Sequence, residues 1–155
     1  MPESREQLFQ KPQVETLSDL SEEDFLSLAE FMPEAFSSIS PDNLAEFVPK
    51  VIEAESADVV IARSPEGKLV SAMVVNIDFG LGKLRGRIDD VATHEQYLRQ
   101  GYGGAVLDYA LDWFRMRGVK KVALTSRSER QPAHKLYESR GFVTRDTNQF
   151  ELSLY

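Results

Sequence analysis

The chain reads IDDVATHEQYLRQGYGG from residue 88 to residue 104, and this stretch joins a predicted strand to a predicted helix. A glycine-rich turn that enters a helix leaves several backbone N–H groups unpaired, and the helix dipole adds to their positive potential. Such a turn is a ready site for a diphosphate group. Gly101 and Gly103 permit left-handed dihedral angles and close approach of a ligand. Alone, the turn is also compatible with a dinucleotide-binding fold or with a simple helix cap.

Two common phosphate-binding loops do not fit this stretch. A P-loop requires Lys and then Ser or Thr after its glycines, whereas Gly104 and Ala105 follow here. The dinucleotide fingerprint requires a third glycine where this chain has Val106. The preceding region also predicts adjacent strands joined by turns, and not the alternating strands and helices of a dinucleotide-binding fold.

The apolar periodicity predicts a mixed α/β fold with the order β-α-α-β-β-β-α-β-α-β(-β). Ser21 and Ser40 have the residue type of helix N-caps and precede two helical patterns, the second of which Pro49 is expected to kink or split. Two further helices follow the glycine-rich turn and residue 130. The predicted strands cover residues 14–17, 59–63, 69–79, 84–93, 121–125 and 142–154. Residues 1–12 are expected to be a flexible lead-in to a single domain spanning residues 1–155.

A second motif, AHKLYESRGF, covers residues 133–142. Together with the pair Asp89-Asp90 and the glycine-rich turn, it resembles the GNAT-type N-acetyltransferase superfamily, whose pattern Ala-x-x-Leu-Tyr-x-x-x-Gly-Phe is present unchanged. The resemblance covers about residues 84–145. It implies a central, twisted, mostly antiparallel sheet of six to seven strands, splayed between the fourth and fifth and flanked by about four helices. It also implies acetyl-CoA as cosubstrate and an amine as acceptor.

The resemblance assigns roles to individual residues. Tyr137 is expected to be the acid that protonates the CoA thiolate. Asp89 or Asp90 is expected to be the base, with a narrow preference for Asp89. The alternative for either aspartate is a structural ion pair with Arg85 or Arg87. The residues expected to contact the cosubstrate are Val91, Ala92, Thr93, Arg99, Gln100, Gly101, Tyr102, Gly103, Gly104 and Arg130.

Two positions depart from the family pattern. In the register fixed by the acidic pair, Leu98 stands where the family usually has Arg or Gln. A shift of two residues restores the pattern from Gln100 to Ala105 but breaks the spacing, so the first register is preferred. Arg99 could then supply the missing charge. The affinity for the cosubstrate is the property that the replacement by Leu98 would affect. Arg130 replaces an asparagine that is frequent in the family.

The distribution of charge narrows the choice of partners. The net charge of −7 argues against nucleic acid, whose phosphates require clustered Lys and Arg. Residues 1–58 contain 14 acidic and 3 basic side chains, a net charge of −11, whereas residues 59–155 contain 11 acidic and 15 basic, a net charge of +4. This asymmetry suits a cationic acceptor beside an anionic cosubstrate, or simply two differently solvated faces.

Composition also bears on metals and compartment. The chain has no cysteine, and His94 and His134 are forty residues apart, so no metal site is predicted. No apolar run approaches the roughly 20 residues of a membrane-spanning helix. A cytoplasmic protein without membrane attachment is therefore expected.

The predicted function is transfer of an acetyl group from acetyl-CoA to a primary amine, by direct attack within a ternary complex. The acceptor is expected to be a small-molecule or peptide amine, and the acidic N-terminal helices hint at a basic one. The alternatives are a non-catalytic acyl-CoA binding or sensing module, which Leu98 favours, and a scaffold that has lost its ligand. Assembly as a homodimer is left open.

Overall fold

The computed structural model describes residues 11–155, in which it contains five β-strands and four α-helices. The strands are β1 (Gln13–Thr16), β2 (Ala57–Arg63), β3 (Leu69–Phe79), β4 (Leu84–Thr93) and β5 (Val122–Leu124). The helices are α1 (Glu22–Ala35), α2 (Pro41–Glu53), α3 (Tyr102–Met116) and α4 (Gln131–Ser139), and a short 3₁₀-helix covers Glu95–Tyr97. Most of the lead-in predicted for residues 1–12 lies outside the described residues. Pro49 was expected to kink or split α2, and a split does not occur, because the helix continues through this residue.

The strands form one sheet in the order β1-β2-β3-β4-β5. Neighbouring strands are antiparallel except β4 and β5, which are parallel because α3 carries the chain back between them. The mixed α/β class and the mostly antiparallel sheet are thus confirmed. The β4–β5 ladder joins only Gly86–Ile88 to Val122–Leu124. Beyond Ile88, no strand within residues 11–155 pairs with this side of β4.

The predicted count of six to seven strands is wrong. Residues 142–155 form neither helix nor strand, although Phe150, Leu152 and Leu154 alternate with polar residues as in a strand. Val143, Phe150 and Leu152 are exposed. A strand is stable only with a hydrogen-bonded neighbour, and the last strand of the sheet, β5, has three residues. Alternation in the sequence therefore identified a segment suited to a sheet without supplying its partner.

The chain divides into two compact units. The first ends at Leu124 and contains the sheet with α1, α2 and α3, and the second runs from Thr125 to Tyr155 and contains α4. The glycine-rich turn and the acidic pair belong to the first unit. The AHKLYESRGF motif belongs to the second.

Helices cover both faces of the sheet. Apolar side chains of α1 and α2 pack on one face around Val59, Ile61 and Ala72. Because side chains alternate along a strand, Val60 and Ala62 point to the opposite face, where they are completely buried and α3 packs against β2 and β3.

A partly buried ion-pair network joins α1 to the sheet. The guanidinium of Arg63 in β2 donates to both carboxylate oxygens of Asp24 in α1, at 2.7 and 2.9 Å, and to Glu15 in β1 at 2.6 Å. Asp24 is buried, so its charge is stabilised only by such close, bidentate donors. The network therefore holds the helix that forms one wall of the cavity described below.

Candidate active site

The strand β4 contains a β-bulge at the acidic pair. Asp89 pairs with Val74 and Ala92 pairs with Ala72, so two residues of β4 face Met73 alone on β3. Asp90 lies at the start of the bulge with a φ of 56°, a left-handed conformation that is uncommon outside glycine. A bulge bends its strand and redirects the side chains that follow. The bulge thus gives the adjacent residues Asp89 and Asp90 different environments.

Asp89 is held by neighbouring side chains. Its Oδ2 atom accepts hydrogen bonds from Nε of Arg87 at 2.8 Å and from Nδ2 of Asn76 at 3.0 Å. The bond to Asp89 raises the pKa of Arg87. The structural ion pair that was the alternative for either aspartate is therefore present for Asp89, with Arg87 as its partner.

Asp90 has a different environment. It is an exposed residue that lines a cavity, and partial desolvation of its carboxylate raises its pKa, with a smaller contribution in the same direction from the charge of Asp89. A carboxylate whose pKa is raised accepts a proton more readily than an ordinary surface aspartate. Of the two candidate bases, Asp90 is the one that the structure places at a cavity.

The cavity has a volume of about 270 Å³ and lies between α1, α2 and the sheet. We call it the α1–α2 cavity. Three of its lining residues are polar, namely Ser38, Asn43 and Asp90. The other eleven are apolar: Leu28, Met32, Ile39, Leu44, Phe47, Val48, Val51, Val59, Ala72, Met73 and Val74.

The segment Val91–Thr93 connects the bulge to the glycine-rich turn. It lies beyond the last residue of β4 that pairs with β5, so within the described chain no strand bonds to its backbone on that side. The Thr93 hydroxyl is paired with Ser71 at 2.8 Å, and Ala92 is buried. The backbone of these three residues is therefore not paired with a strand on the β5 side.

The turn ends in a helix N-terminus without a side-chain cap. Gly101 is the N-cap of α3 with a φ of 87°, and Arg99 also adopts a positive φ of 61°. The first N–H groups of a helix lack intrahelical partners, and here Gly103 and Gly104 lie among those residues. The geometry is that of an anion-binding helix terminus. The side chain of Gln100 donates to the backbone carbonyl of Gln96 and so braces the turn.

A series of edge-to-face aromatic contacts connects α1 to the glycine-rich turn. The rings of Phe31, His94, Tyr97 and Tyr102 follow one another with centroid separations of 6.0, 5.5 and 5.9 Å. Nε2 of His94 also lies 3.1 Å from a carboxylate oxygen of Glu30 in α1. The turn is thereby connected to the helix that lines the α1–α2 cavity.

The remaining predicted residues lie in the second unit. Tyr137 is the buried residue of α4, and its ring contacts Phe142 at a centroid distance of 5.9 Å. Burial raises the pKa of Tyr137, and the charge of Arg130 partly offsets this rise. Arg130 is the N-cap residue of α4. Of the predicted site residues, the second unit contains only these two.

The sequence did not reveal the cavity wall. Met32, Phe47 and Met73 were not singled out, because helical and strand periodicity identifies apolar faces but not the gap left between them. Glu30 was missed as well, although its bond to His94 and its 2.8 Å ion pair with Lys68 place it beside the turn. No sequence pattern available for a single chain would have paired these distant residues.

Neither a metal-binding cluster nor a membrane-spanning helix is present in the described part of the chain. Residues 11–155 contain no group of three or more His, Cys, Asp or Glu residues that could hold a metal ion. Among their helices, none is long and apolar enough to cross a membrane.

Comparison with known proteins identifies the family of this chain. The model of the acetyltransferase (GNAT) family matches residues 15–142. The chain belongs to the GNAT family. The resemblance noted in the two sequence motifs is confirmed, and the match includes both the glycine-rich turn and the AHKLYESRGF motif.

Individual relatives of this GNAT protein are distant. An uncharacterized N-acetyltransferase of Bacillus subtilis, YhdJ, is 40% identical over 57 residues, which are 36% of this chain and 40% of that protein. The match thus spans less than half the length of either protein.

Solved structures share the fold over nearly the whole chain. An acetyltransferase of Trypanosoma brucei is 24% identical, with a TM-score of 0.72 over 93% of this chain and 100% of the other. The enzyme AAC(6')-Iy, solved with the bisubstrate analogue CoA-S-monomethyl-acetylneamine, is 13% identical, with a TM-score of 0.75 over 93% and 99% of the two chains. At these identities the likeness shows the fold alone.

Proposed function

We propose that the protein is an N-acetyltransferase that moves the acetyl group of acetyl-CoA to a primary amine in the α1–α2 cavity. The observation that carries the proposal is the position of Asp90. This residue lines the cavity at the point where β4 bulges. The strand beyond it leads along an edge without a partner strand to the N-terminus of α3, which has no side-chain cap. Residues 90–104 therefore connect a candidate base at the acceptor cavity, Asp90, to a candidate anion site at the start of α3.

The residues at the α3 terminus fit the diphosphate of acetyl-CoA. Backbone N–H groups of Gly101–Gly104 have no side-chain cap to compete with a ligand, and the exposed Arg99 adds a positive charge beside them. The open edge of Val91–Thr93 suits the amide groups of the pantetheine arm. When bound, acetyl-CoA supplies the activated acetyl thioester. Arg130 in the second unit is proposed as a further cosubstrate contact.

Asp90 is proposed as the base that removes a proton from the acceptor ammonium. A lysine-like amine has a pKa of about 10.4 and is protonated at neutral pH, so it needs a proton acceptor before it can attack a thioester. Asp90 faces the cavity and has a raised pKa, whereas Asp89 is engaged by Arg87 and Asn76. We therefore assign the role to Asp90, directly or through one water molecule, and give Asp89 a positioning role.

Tyr137 is proposed as the acid that protonates the departing thiolate. A phenol has an ordinary pKa of about 10, so it is protonated at neutral pH and available as a donor, and burial raises the pKa of Tyr137 further. The complete AHKLYESRGF motif supports this role over that of a simple core aromatic.

A non-catalytic acyl-CoA sensor is the second candidate, and Leu98 favours it. This exposed leucine stands where the family pattern has a cation or a glutamine, at the turn that would bind the diphosphate. A sensor requires the cosubstrate site without either the base or the acid.

Acetyl-CoA-dependent thiol release with a panel of amines tests the proposal, with calorimetry of CoA binding as a second readout. The Tyr137→Phe variant should lose about 10²- to 10⁴-fold in kcat and keep its affinity for CoA. Tyr109→Phe, on the surface of α3, is the matched control and should retain activity. Binding of CoA without turnover of any amine would favour the sensor, and no heat with CoA or acetyl-CoA would exclude both candidates.

A further inference from the structure

We infer that the acceptor is a primary monoamine with an apolar body, about the size of one aromatic ring with a short chain, bound with its amino group toward Asp90. The inference rests on the proposed function and specifies the substrate class of the same site. It departs from the basic, polyamine-like acceptor that the acidic N-terminal helices suggested.

The charge of the cavity wall limits the acceptor to a single ammonium. Asp90 is the one carboxylate among the described residues that line the α1–α2 cavity. Acidic side chains such as Glu34, Glu46 and Glu53 are exposed and do not belong to the lining, and Glu46 is already paired with Lys50. A second ammonium in the cavity would lose its water against apolar walls without a partner, which is strongly unfavourable. Polyamines and aminoglycosides therefore fit poorly.

The uncharged polar groups of the cavity do not suit a sugar. Oδ1 of Asn43 accepts hydrogen bonds from both the backbone N–H and the hydroxyl of Ser40, at 2.9 and 2.8 Å, because the two residues form the capping box that starts α2. Ser38 is exposed at the loop before α2. The many hydroxyls of an amino sugar would thus face a wall of methyl, methylene and aromatic groups. Each hydroxyl left without a partner opposes binding.

The size and softness of the wall suit a compact apolar group. An apolar cavity of about 150 Å³ accommodates benzene, so about 270 Å³ accommodates one ring with a short chain. Met32 and Met73 line the cavity from α1 and β3, and the flexible methionine side chain adapts to ligands of different shape. Phe47 on α2 is half-exposed and contributes an aromatic ring to the lining, with the ammonium of Lys50 4.9 Å from the ring centroid.

The inference is tested with a series of amines that share nearly the same amine pKa. The value of kcat/KM, measured by thiol release, should rise about fourfold for each CH₂ from propylamine to hexylamine, as expected for burial of each methylene. Phenethylamine should resemble hexylamine, and spermidine and glucosamine should be poor acceptors. A flat series, or spermidine or glucosamine equal to hexylamine, would overturn the inference.

A pair of variants and a binding measurement separate this inference from the proposed function. Phe47→Ala should lower kcat/KM for hexylamine about fivefold with a smaller effect on propylamine and none on the KM for acetyl-CoA. Phe79→Ala, exposed and outside the cavity, should leave both amines unchanged. Calorimetry with the amines in the presence of CoA needs no turnover. Chain-length-dependent binding without acetylation would reject the proposed function and retain the acceptor class, whereas equal or absent binding along the series would reject the class.

Discussion

Nε of Arg87 lies 2.8 Å from Oδ2 of Asp89, two residues further along the same strand. Arg87 also contacts Asp78 on β3 at 3.1 Å, so the guanidinium joins two carboxylates across the β3–β4 pair. Asp89 is thereby engaged on the sheet, and Asp90, its neighbour in sequence, is left as the carboxylate at the cavity. This division of roles between adjacent aspartates leads to three predictions.

Asp90→Asn should lower kcat about 10²- to 10⁴-fold, because it removes the proposed proton acceptor while preserving shape. The KM for acetyl-CoA should be nearly unchanged, since the α3 terminus is not altered. Asp89→Asn is the matched control and should have a much smaller effect on kcat. Steady-state kinetics of thiol release measures both, and a larger loss in Asp89→Asn than in Asp90→Asn would reverse the assignment.

As the pH is lowered, activity should be lost at a higher pH than the ordinary pKa of an aspartate would predict. Asp90 can act as a base only when ionised, and its pKa is raised by burial and by the charge of Asp89. Asp89→Asn removes the second of these causes, so the acidic limb of the kcat/KM profile should move to lower pH in this variant. A pH profile of the rate at amine concentrations below KM checks the direction, and a shift to higher pH would contradict it.

Asp90 should also oppose folding as the pH rises. Its folded pKa is raised above the unfolded value, so between the two values the folded state binds more protons and stability declines with increasing pH. Asp90→Asn removes this dependence, and the variant should gain melting temperature over the parent protein above that range but not below it. Thermal melts across a pH series measure the difference, and an equal difference at every pH would show that titration is not responsible.

The sequence predicted the acidic pair and the glycine-rich turn but not the relation between Asp89 and Asp90. Strict alternation along a strand places neighbours on opposite faces, and the bulge at Asp90 changes that register. Its φ of 56° arises at a residue that is not glycine, so residue type alone did not indicate it. Tertiary pairing with β3 determines the bulge, and this information is absent from local patterns.

The same limit explains the other differences. Pro49 predicted a kink or a split of α2. The helix is not split, because proline removes one backbone hydrogen bond without ending a helix whose apolar face is held against the sheet. Residues 142–154 were predicted to be a strand, and residues 150–154 alternate like one, yet a strand also requires a neighbouring edge. Periodicity therefore gave the type and order of most elements, whereas packing determined the cavity, the bulge and the number of strands.

Gly86→Ala should destabilise the protein by about 1–3 kcal/mol through overpacking. A Cβ atom at this position would lie 2.7 Å from Cε1 of the buried Phe114 and 3.0 Å from Cγ2 of Val122. The α3 helix packs on β4 at this point, and the buried ring of Phe114 in α3 has little room to move. Gly82→Ala is the control, because its Cβ would meet no atom within 4 Å. Urea denaturation compares the two, and equal midpoints would contradict the close packing.

Gly101→Ala should weaken binding of CoA without a large loss of fold stability. Gly101 has a φ of 87° and open space around its Cα, so an added Cβ meets no atom but makes the left-handed conformation unfavourable by about 1–2 kcal/mol. Relief of this strain would turn the N–H groups at the start of α3 away from their shared direction. Gly67→Ala is closely matched, with a φ of 86° and equally open surroundings in the β2–β3 turn. Both variants should lose similar free energy of unfolding in urea, but only Gly101→Ala should show a raised Kd for CoA by calorimetry. Equal CoA affinity in the two variants would mean that the α3 terminus does not bind the diphosphate.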